Sequence, residues 1–120
     1  MIKITGRPIS KKNSRRLFVR GGRVINLPSS AYENFKEQAL WQLKSYKEKY
    51  TGPIKVEYTF QMKGKLNTDL DNLQAGINDL LQDAGIIDDD KNIISVTANK
   101  YSGFKDWVTL VEITPLSSPQ

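Results

Sequence analysis

Three patterns in this 120-residue chain predict an α+β fold, a mixed β-sheet with two main helices packed on one face. The stretch "IKVEYTFQMK" alternates strictly between apolar and polar residues, as a half-exposed strand does. Two other stretches, after Pro28 and after Thr68, space their apolar residues by three and four, the period of a helix with one buried face. Further β-prone runs stand near both ends, bounded by glycine. The length suits one hydrophobic core, and no repeat or linker divides it, so a single domain over residues 1–120 is expected.

Taken in order, "MIKIT" predicts a short strand and "GRPISKKNSRR" a loop. In "LFVRGGRVIN" two β-prone runs flank a Gly-Gly pair, a hairpin signal because glycine accepts the positive φ that such turns require. Pro28, Ser29 and Ser30 open the first helix, with serine as a natural N-cap. Its stripe of Tyr32, Phe35, Ala39, Leu43, Tyr46 and Tyr50 predicts about five turns. Trp41 falls off that stripe, so it either reaches a second layer of core, the favoured reading, or marks a contact surface. After Thr51, Gly52 and Pro53 comes the alternating strand, residues 54–63, with Ile54, Val56, Tyr58, Phe60 and Met62 facing inward. Residues 70–83 return to helical spacing through Leu70, Leu73, Ile77, Leu80 and Leu81, and Gly85 suits the left-handed cap that ends a helix. "IISVTANKYS" and "DWVTLVEIT" predict two strands joined through Gly103, and residues 115–120 a frayed tail.

Composition excludes whole classes of chemistry. Without cysteine there is neither a disulfide framework nor a thiolate nucleophile. Without histidine, the usual zinc sites and the Ser/His and Cys/His arrangements are ruled out, so carboxylates, lysines or a metal-bound water must carry any protons. No apolar run approaches the eighteen or so residues of a membrane span, and "MIKITGRPIS" lacks the apolar core of a signal peptide; no membrane association and a cytoplasmic location are expected.

The net charge of +5 points to a polyanionic partner, and its distribution is polarised. Residues 1–24 hold Lys3, Arg7, Lys11, Lys12, Arg15, Arg16, Arg20 and Arg23 and no acid, whereas residues 67–90 hold seven aspartates and no base. These basics form either a solvated arm or, with Ser10, Asn13 and Ser14 beside them, the charge and donors for contacts to a phosphate backbone.

Some of the aspartates have structural explanations. Thr68 and Asp71 have capping-box spacing, and acids in a first helical turn are favoured by the helix dipole. Asp79 and Asp83 fit a solvated helix face. A calcium-binding EF-hand loop is excluded, because its sixth position would be Ile93 and its twelfth Asn99. What remains is a combination: Asp69 and Asp71 at a helix mouth, and a triplet, residues 88–90, on a return loop that can fold over the helix. Two like charges ~4 Å apart repel by roughly 4 kcal/mol at an effective dielectric of 20, a cost that a divalent cation removes. Oxygen ligands alone select Mg²⁺, with Mn²⁺ able to substitute. Such an ion in a basic protein points to phosphodiester hydrolysis, since it lowers the pKa of a bound water and stabilises the leaving oxygen without histidine.

At these residues the sequence resembles the RusA family of Holliday junction resolvases, small endonucleases carried mostly by bacteriophages and prophages. "DLDNLQAGINDLLQDAGIIDDDKNI" is similar to the family's D-x-D-N opening, its mid-helix Asp and Leu, its terminal Gly and its acidic pair before a polar and an aliphatic residue. "GRPISKKNSRR" resembles the family's P-x-S-x-x-N segment, and "PSSAYENFKEQAL" the helix after it. The resemblance implies that Asp69, Asp71 and Asp90 are the catalytic, metal-holding aspartates, with Asp89 the alternative third ligand and Asn72 the Asn of the opening motif. The family commonly has a lysine four residues after the second Asp, where this chain has Ala75; Lys91 is the expected substitute, with Lys12 or the Lys63/Lys65 pair as alternatives. The DNA-gripping set is expected to be Lys11, Lys12, Asn13, Arg15, Arg16, Arg20, Arg23, Lys63 and Lys65. The resemblance further implies an α+β homodimer that binds four-way junction DNA and uses Mg²⁺ to make paired symmetric nicks. Two competing functions follow from the same residues: a non-catalytic DNA-binding module, and a Mg²⁺ nuclease acting on flaps or single strands.

Overall fold

The computed structural model describes residues 1–10, 30–65 and 68–116 in full, and residues 15–20 and 23–28 by their backbone. The elements run β1 (Ile2–Thr5), β2 (Arg15–Arg20), β3 (Arg23–Pro28), α1 (Ser30–Leu43), β4 (Ile54–Lys63), α2 (Leu70–Asp83), β5 (Ile93–Phe104) and β6 (Val108–Pro115). Four strands form one sheet in the order β1-β6-β4-β5; β6 is antiparallel to both its neighbours, and β5 is parallel to β4. The sheet is therefore mixed. β2 and β3 form a separate antiparallel pair with Arg20 opposite Arg23, the hairpin expected around Gly21 and Gly22, which themselves lie outside the described residues.

Alternation along β4 sorts its side chains as the pattern requires: Ile54, Val56, Tyr58, Phe60 and Met62 are buried. Ile2 and Ile4 of β1 and Val111 of β6 extend that face, and the helices close it with Phe35, Ala39 and Leu43 of α1 and Leu73, Ile77, Leu80 and Leu81 of α2. Each fully buried Leu, Ile or Phe contributes about 1.5–3 kcal/mol, so this one face holds most of the fold together. A parallel pair needs a long crossover, and α2 provides it between β4 and β5. The helix stops at Ala84, and Gly85 takes the left-handed conformation with φ +74°.

Two further contacts fix what lies around α2. Residues 6–10 run across it so closely that a Cβ on Gly76 would stand 3.1 Å from the backbone carbon of Ile9 and 3.2 Å from its nitrogen and oxygen. The turn after β4 is bonded to the end of β5: Gly103 N–H donates to the Gly64 carbonyl at 2.7 Å, and Gly64 N–H to the Phe104 carbonyl at 3.1 Å.

Four expectations need correction. α1 ends at Leu43, short of Tyr46 and Tyr50; the next residues are polar, and both tyrosines reach the core from non-helical backbone. Trp41 is 71% exposed with the Lys44 ammonium 4.5 Å from its ring centre, a surface side chain and not a second core layer. Pro115 is the last residue of β6 opposite Ile54, and Leu116 N–H donates to the Pro53 carbonyl, so the tail starts later than residue 115; residues 117–120 lie outside the described set. Ser10 is 3% exposed and faces the interior, which removes it from the phosphate-contacting group. Among the described residues, no helix is long and apolar enough to cross a membrane.

Candidate active site

The α2 crossover carries the acids at both its ends. Asp69 is the N-cap of α2, with extended backbone (φ −62°, ψ 136°), and its carbonyl accepts the N–H groups of Asn72 and Leu73. Its side chain makes no capping hydrogen bond, and the cap is not Thr68, as the capping-box spacing had suggested. The carboxylate is exposed, as is that of Asp71 in the first turn. Capping therefore does not account for the Asp69 carboxylate.

At the other end of α2 the chain folds back, as the triplet requires. Asp89 caps a single 3-10 turn, Asp90–Asn92, its carboxylate accepting the Lys91 N–H at 2.9 Å. That bond holds the Asp89 carboxyl below the usual carboxylate range. Asp90 moves the opposite way: loss of solvent pushes its carboxyl up, and the neighbouring Asp89 and then Asp79 add to it. Asp90 also raises the pKa of Tyr58, although burial of that phenol is the larger cause. Tyr58 donates to Asn78 Oδ1, which ties β4 to the middle of α2.

The mutual influence of Asp90 with Asp79 and Tyr58 brings it toward the middle of α2 and away from its mouth. Asp71, Ala75 and Asp79 share one stripe of α2, a turn apart each, so Asp71 lies about 12 Å of helix rise from Asp79. The small Ala75 side chain leaves a gap between the two acidic groups. Among the described residues, no three acids stand close enough together to enclose a metal ion. The donor chemistry nevertheless suits a hard cation, since every candidate ligand is a carboxylate and Mg²⁺ is commonly held by one or two carboxylates with water and substrate oxygens completing its shell.

Asp79 was expected on a solvated face and is half-buried, acting on Asp90; Asp83 does lie at the surface, paired with Lys36 at 3.0 Å. Lys91 is exposed beside Asp89, and Asn72 is half-buried in the first turn of α2. Lys63 and Lys65 are exposed on either side of Gly64. Arg15, Arg16, Arg20 and Arg23 fall on β2 and β3, while Lys11, Lys12 and Asn13 lie outside the described residues.

Two cations near the helix mouth stand outside the expected DNA-gripping set, although Arg7 belongs to the N-terminal basic cluster. Lys100 Nζ donates to the Thr68 carbonyl at 2.9 Å, and Arg7 Nη2 to Thr68 Oγ1 at 3.4 Å, with the Arg7 guanidinium 5.7 Å from the centre of the Trp107 ring. A faint signal existed for the first: Val96, Ala98 and Lys100 alternate along one strand, so the lysine occupies a position where apolar residues precede it.

The sequence matches the family described as "Endodeoxyribonuclease RusA" over residues 5–114. It is also similar to a protein of Aquifex aeolicus (strain VF5) named "Crossover junction endodeoxyribonuclease RusA", with 30% identity over 118 residues that cover 93% of this chain and 88% of the relative.

Proposed function

The chain belongs to the RusA endodeoxyribonuclease family, and from that premise we propose a divalent-metal-dependent enzyme that resolves Holliday junctions by paired symmetric nicks. The observation that supports this reading is the α2 crossover, which carries Asp69 and Asp71 at its mouth and leads into the loop of Asp88, Asp89 and Asp90, in a chain of opposite net charge.

Asp69 and Asp71 at the helix mouth and Asp90, with Asp89 beside it, on the return loop are the carboxylates that would hold Mg²⁺, or Mn²⁺ in its place, with water and substrate oxygens completing a shell that no three of these acids enclose by themselves. When bound, the ion supplies Lewis acidity toward the phosphoryl group and lowers the pKa of its water. The protein's own groups do the rest. Asp89, fixed by the Lys91 N–H, sets the turn that presents Asp90. The Tyr58–Asn78 bond holds α2 against the sheet so that Asp71 and Asp90 keep their spacing. The Lys91 ammonium supplies positive charge at the Asp89–Asp90 end, where a phosphate would otherwise meet only acids. Lys63 and Lys65 at the sheet end, with Lys11, Lys12, Arg15, Arg16, Arg20 and Arg23 on and before the hairpin, grip the DNA backbone by charge, and the Asn13 amide adds a hydrogen-bond donor.

A four-way junction has twofold symmetry, and a homodimer would set two identical sites on symmetry-related strands. Support for a dimer comes from β5, a 12-residue edge strand that leaves Ile94 60% and Val96 47% exposed. A DNA substrate and a single domain fit a cytoplasmic protein.

The test is incubation with a mobile four-way junction, with and without Mg²⁺, and mapping of nicks on all four strands. Nicks at symmetric positions on two opposing strands are expected only with the ion. Asp71→Asn should lower the rate by at least about 100-fold while junction binding without metal is retained. Undiminished cleavage by that variant would remove Asp71 from the site.

A further inference from the structure

The turn that leads into Asp69 is held from two sides by cations that come from other elements. Lys100 lies on β5 opposite Phe60 of β4, on the helix-covered side of the sheet, and its ammonium reaches the Thr68 carbonyl at 2.9 Å. That contact uses one of three N–H donors, and the side chain is exposed, so two donors face outward beside the residue that precedes Asp69. No carboxylate among the described residues pairs with Lys100: the ion pairs there are Lys36–Asp83 and Lys55–Glu57. Its charge is thus placed next to the aspartates without being cancelled by them.

Resting on the function proposed above, we propose that Lys100 contacts a non-bridging oxygen of the scissile phosphate when the strand lies across Asp69 and Asp71. The need for such a group is electrostatic. A phosphodiester approaching two exposed carboxylates is repelled, and α2 itself offers no cation there, because the next residue on the Asp71 stripe is Ala75. Lys100 brings the charge from a strand instead.

In the reaction a water oxygen bonds to phosphorus, the bond to one sugar oxygen breaks, and its electron pair leaves on that oxygen. One water proton ends on the leaving oxygen, and the products are an alcohol and a phosphate monoester. Lys100 keeps its proton throughout and stabilises the extra negative charge on the phosphoryl oxygens. Arg7, held against Trp107, secures the Thr68 hydroxyl and acts as a positioning residue for the turn.

Lys100→Met keeps most of the stem and removes the charge, and Lys100→Arg keeps the charge. Under single-turnover conditions with saturating protein and Mg²⁺, Lys100→Met should nick a four-way junction about 100-fold more slowly, the loss typical of one preorganised transition-state contact. Lys100→Arg should recover at least a tenth of the lost rate. A binding readout in EDTA separates contact from scaffolding: the slope of log affinity against log salt should fall by about one for Lys100→Met. Replacing the mapped scissile phosphate by a neutral methylphosphonate should abolish the binding difference between Lys100→Met and the unmodified protein. A purely structural lysine would weaken binding to both substrates alike, and that result overturns the proposal. So does nicking by Lys100→Met within twofold of the unmodified protein, or, should that variant unfold, a Lys100→Arg variant with full stability but no detectable nicking. If the unmodified protein nicks no junction with any divalent ion, the proposed function fails and takes this inference with it.

Discussion

The chemistry of Asp90 depends on its neighbours. Loss of solvent, then Asp89 and Asp79, raise its carboxyl, so ionising it opposes folding. For an acid with a raised folded pKa, stability is greatest below the ordinary carboxylate range and declines as pH climbs from there through the folded value. Asp89 runs the other way: its lowered pKa contributes stability above the ordinary carboxylate range that is lost as pH falls through the folded value. Without divalent ions, Asp90→Asn should therefore melt at a higher temperature than the unmodified protein at pH 7, with the difference closing toward pH 3. Thermal melts across that range check it, and a constant difference would mean that titration of Asp90 is not its source. Much of this residue-level detail was beyond the sequence. The Asp69-x-Asp71 pair could be read from local spacing, but the pressure of Asp79 on Asp90 arises only once the loop doubles back, and the reach of Lys100 to Thr68 depends on the register of β5 against β4.

At the scale of elements, the crossover helix is pinned by a residue with no side chain. Residues 6–10 pass so close to Gly76 that a methyl group would push into Ile9 backbone, which cannot rotate away. Gly76→Ala raises intrinsic helix propensity by about 1 kcal/mol, yet overpacking against backbone costs about 1–3 kcal/mol. A net fall in melting temperature is expected; a rise would show that residues 6–10 yield freely. Apolar periodicity identified β4 and α2 to within a residue because each has one buried face. It overran α1 because Tyr46 and Tyr50 continue the stripe into a polar stretch, where their packing no longer needs a helix: Lys3 N–H donates to the Tyr46 hydroxyl at 3.2 Å, and Tyr50 N–H to the Ile86 carbonyl at 2.7 Å. Strand order was equally hidden. β5 and β6 follow one another in sequence but flank β4 on opposite sides, a choice made by the crossover and by the long pairing of β6 with β4.

For the whole molecule, the largest unmet demand is the free edge of β5. A long edge strand with exposed Ile94, Val96 and Tyr101 invites pairing with a second chain, and Richly charged edges are the usual defence against it, whereas Lys100 is the only charge in this strand. If two chains pair along this edge as proposed, replacing Ile94 and Val96 together by glutamate should leave the fold intact and halve the solution mass measured by light scattering. Paired nicks on opposing strands should then give way to uncoordinated single nicks. A variant that keeps the mass of a dimer would place the interface elsewhere. The charge polarity that first set the acids apart was fully visible in the chain, because it is a count along the sequence. How far apart the acids stand along α2 was not, because that distance belongs to the folded crossover.

The two tryptophans have opposite access to water: Trp41 is 71% exposed under Lys44, and Trp107 is 8% exposed beside Arg7. Their fluorescence should therefore separate, a red-shifted, iodide-quenchable emission from one indole and a blue-shifted, shielded emission from the other. Because Arg7 links the second indole to the turn before Asp69, the chain carries an intrinsic optical probe next to its acids, able to report the arrival of a cation or a DNA strand without an added label.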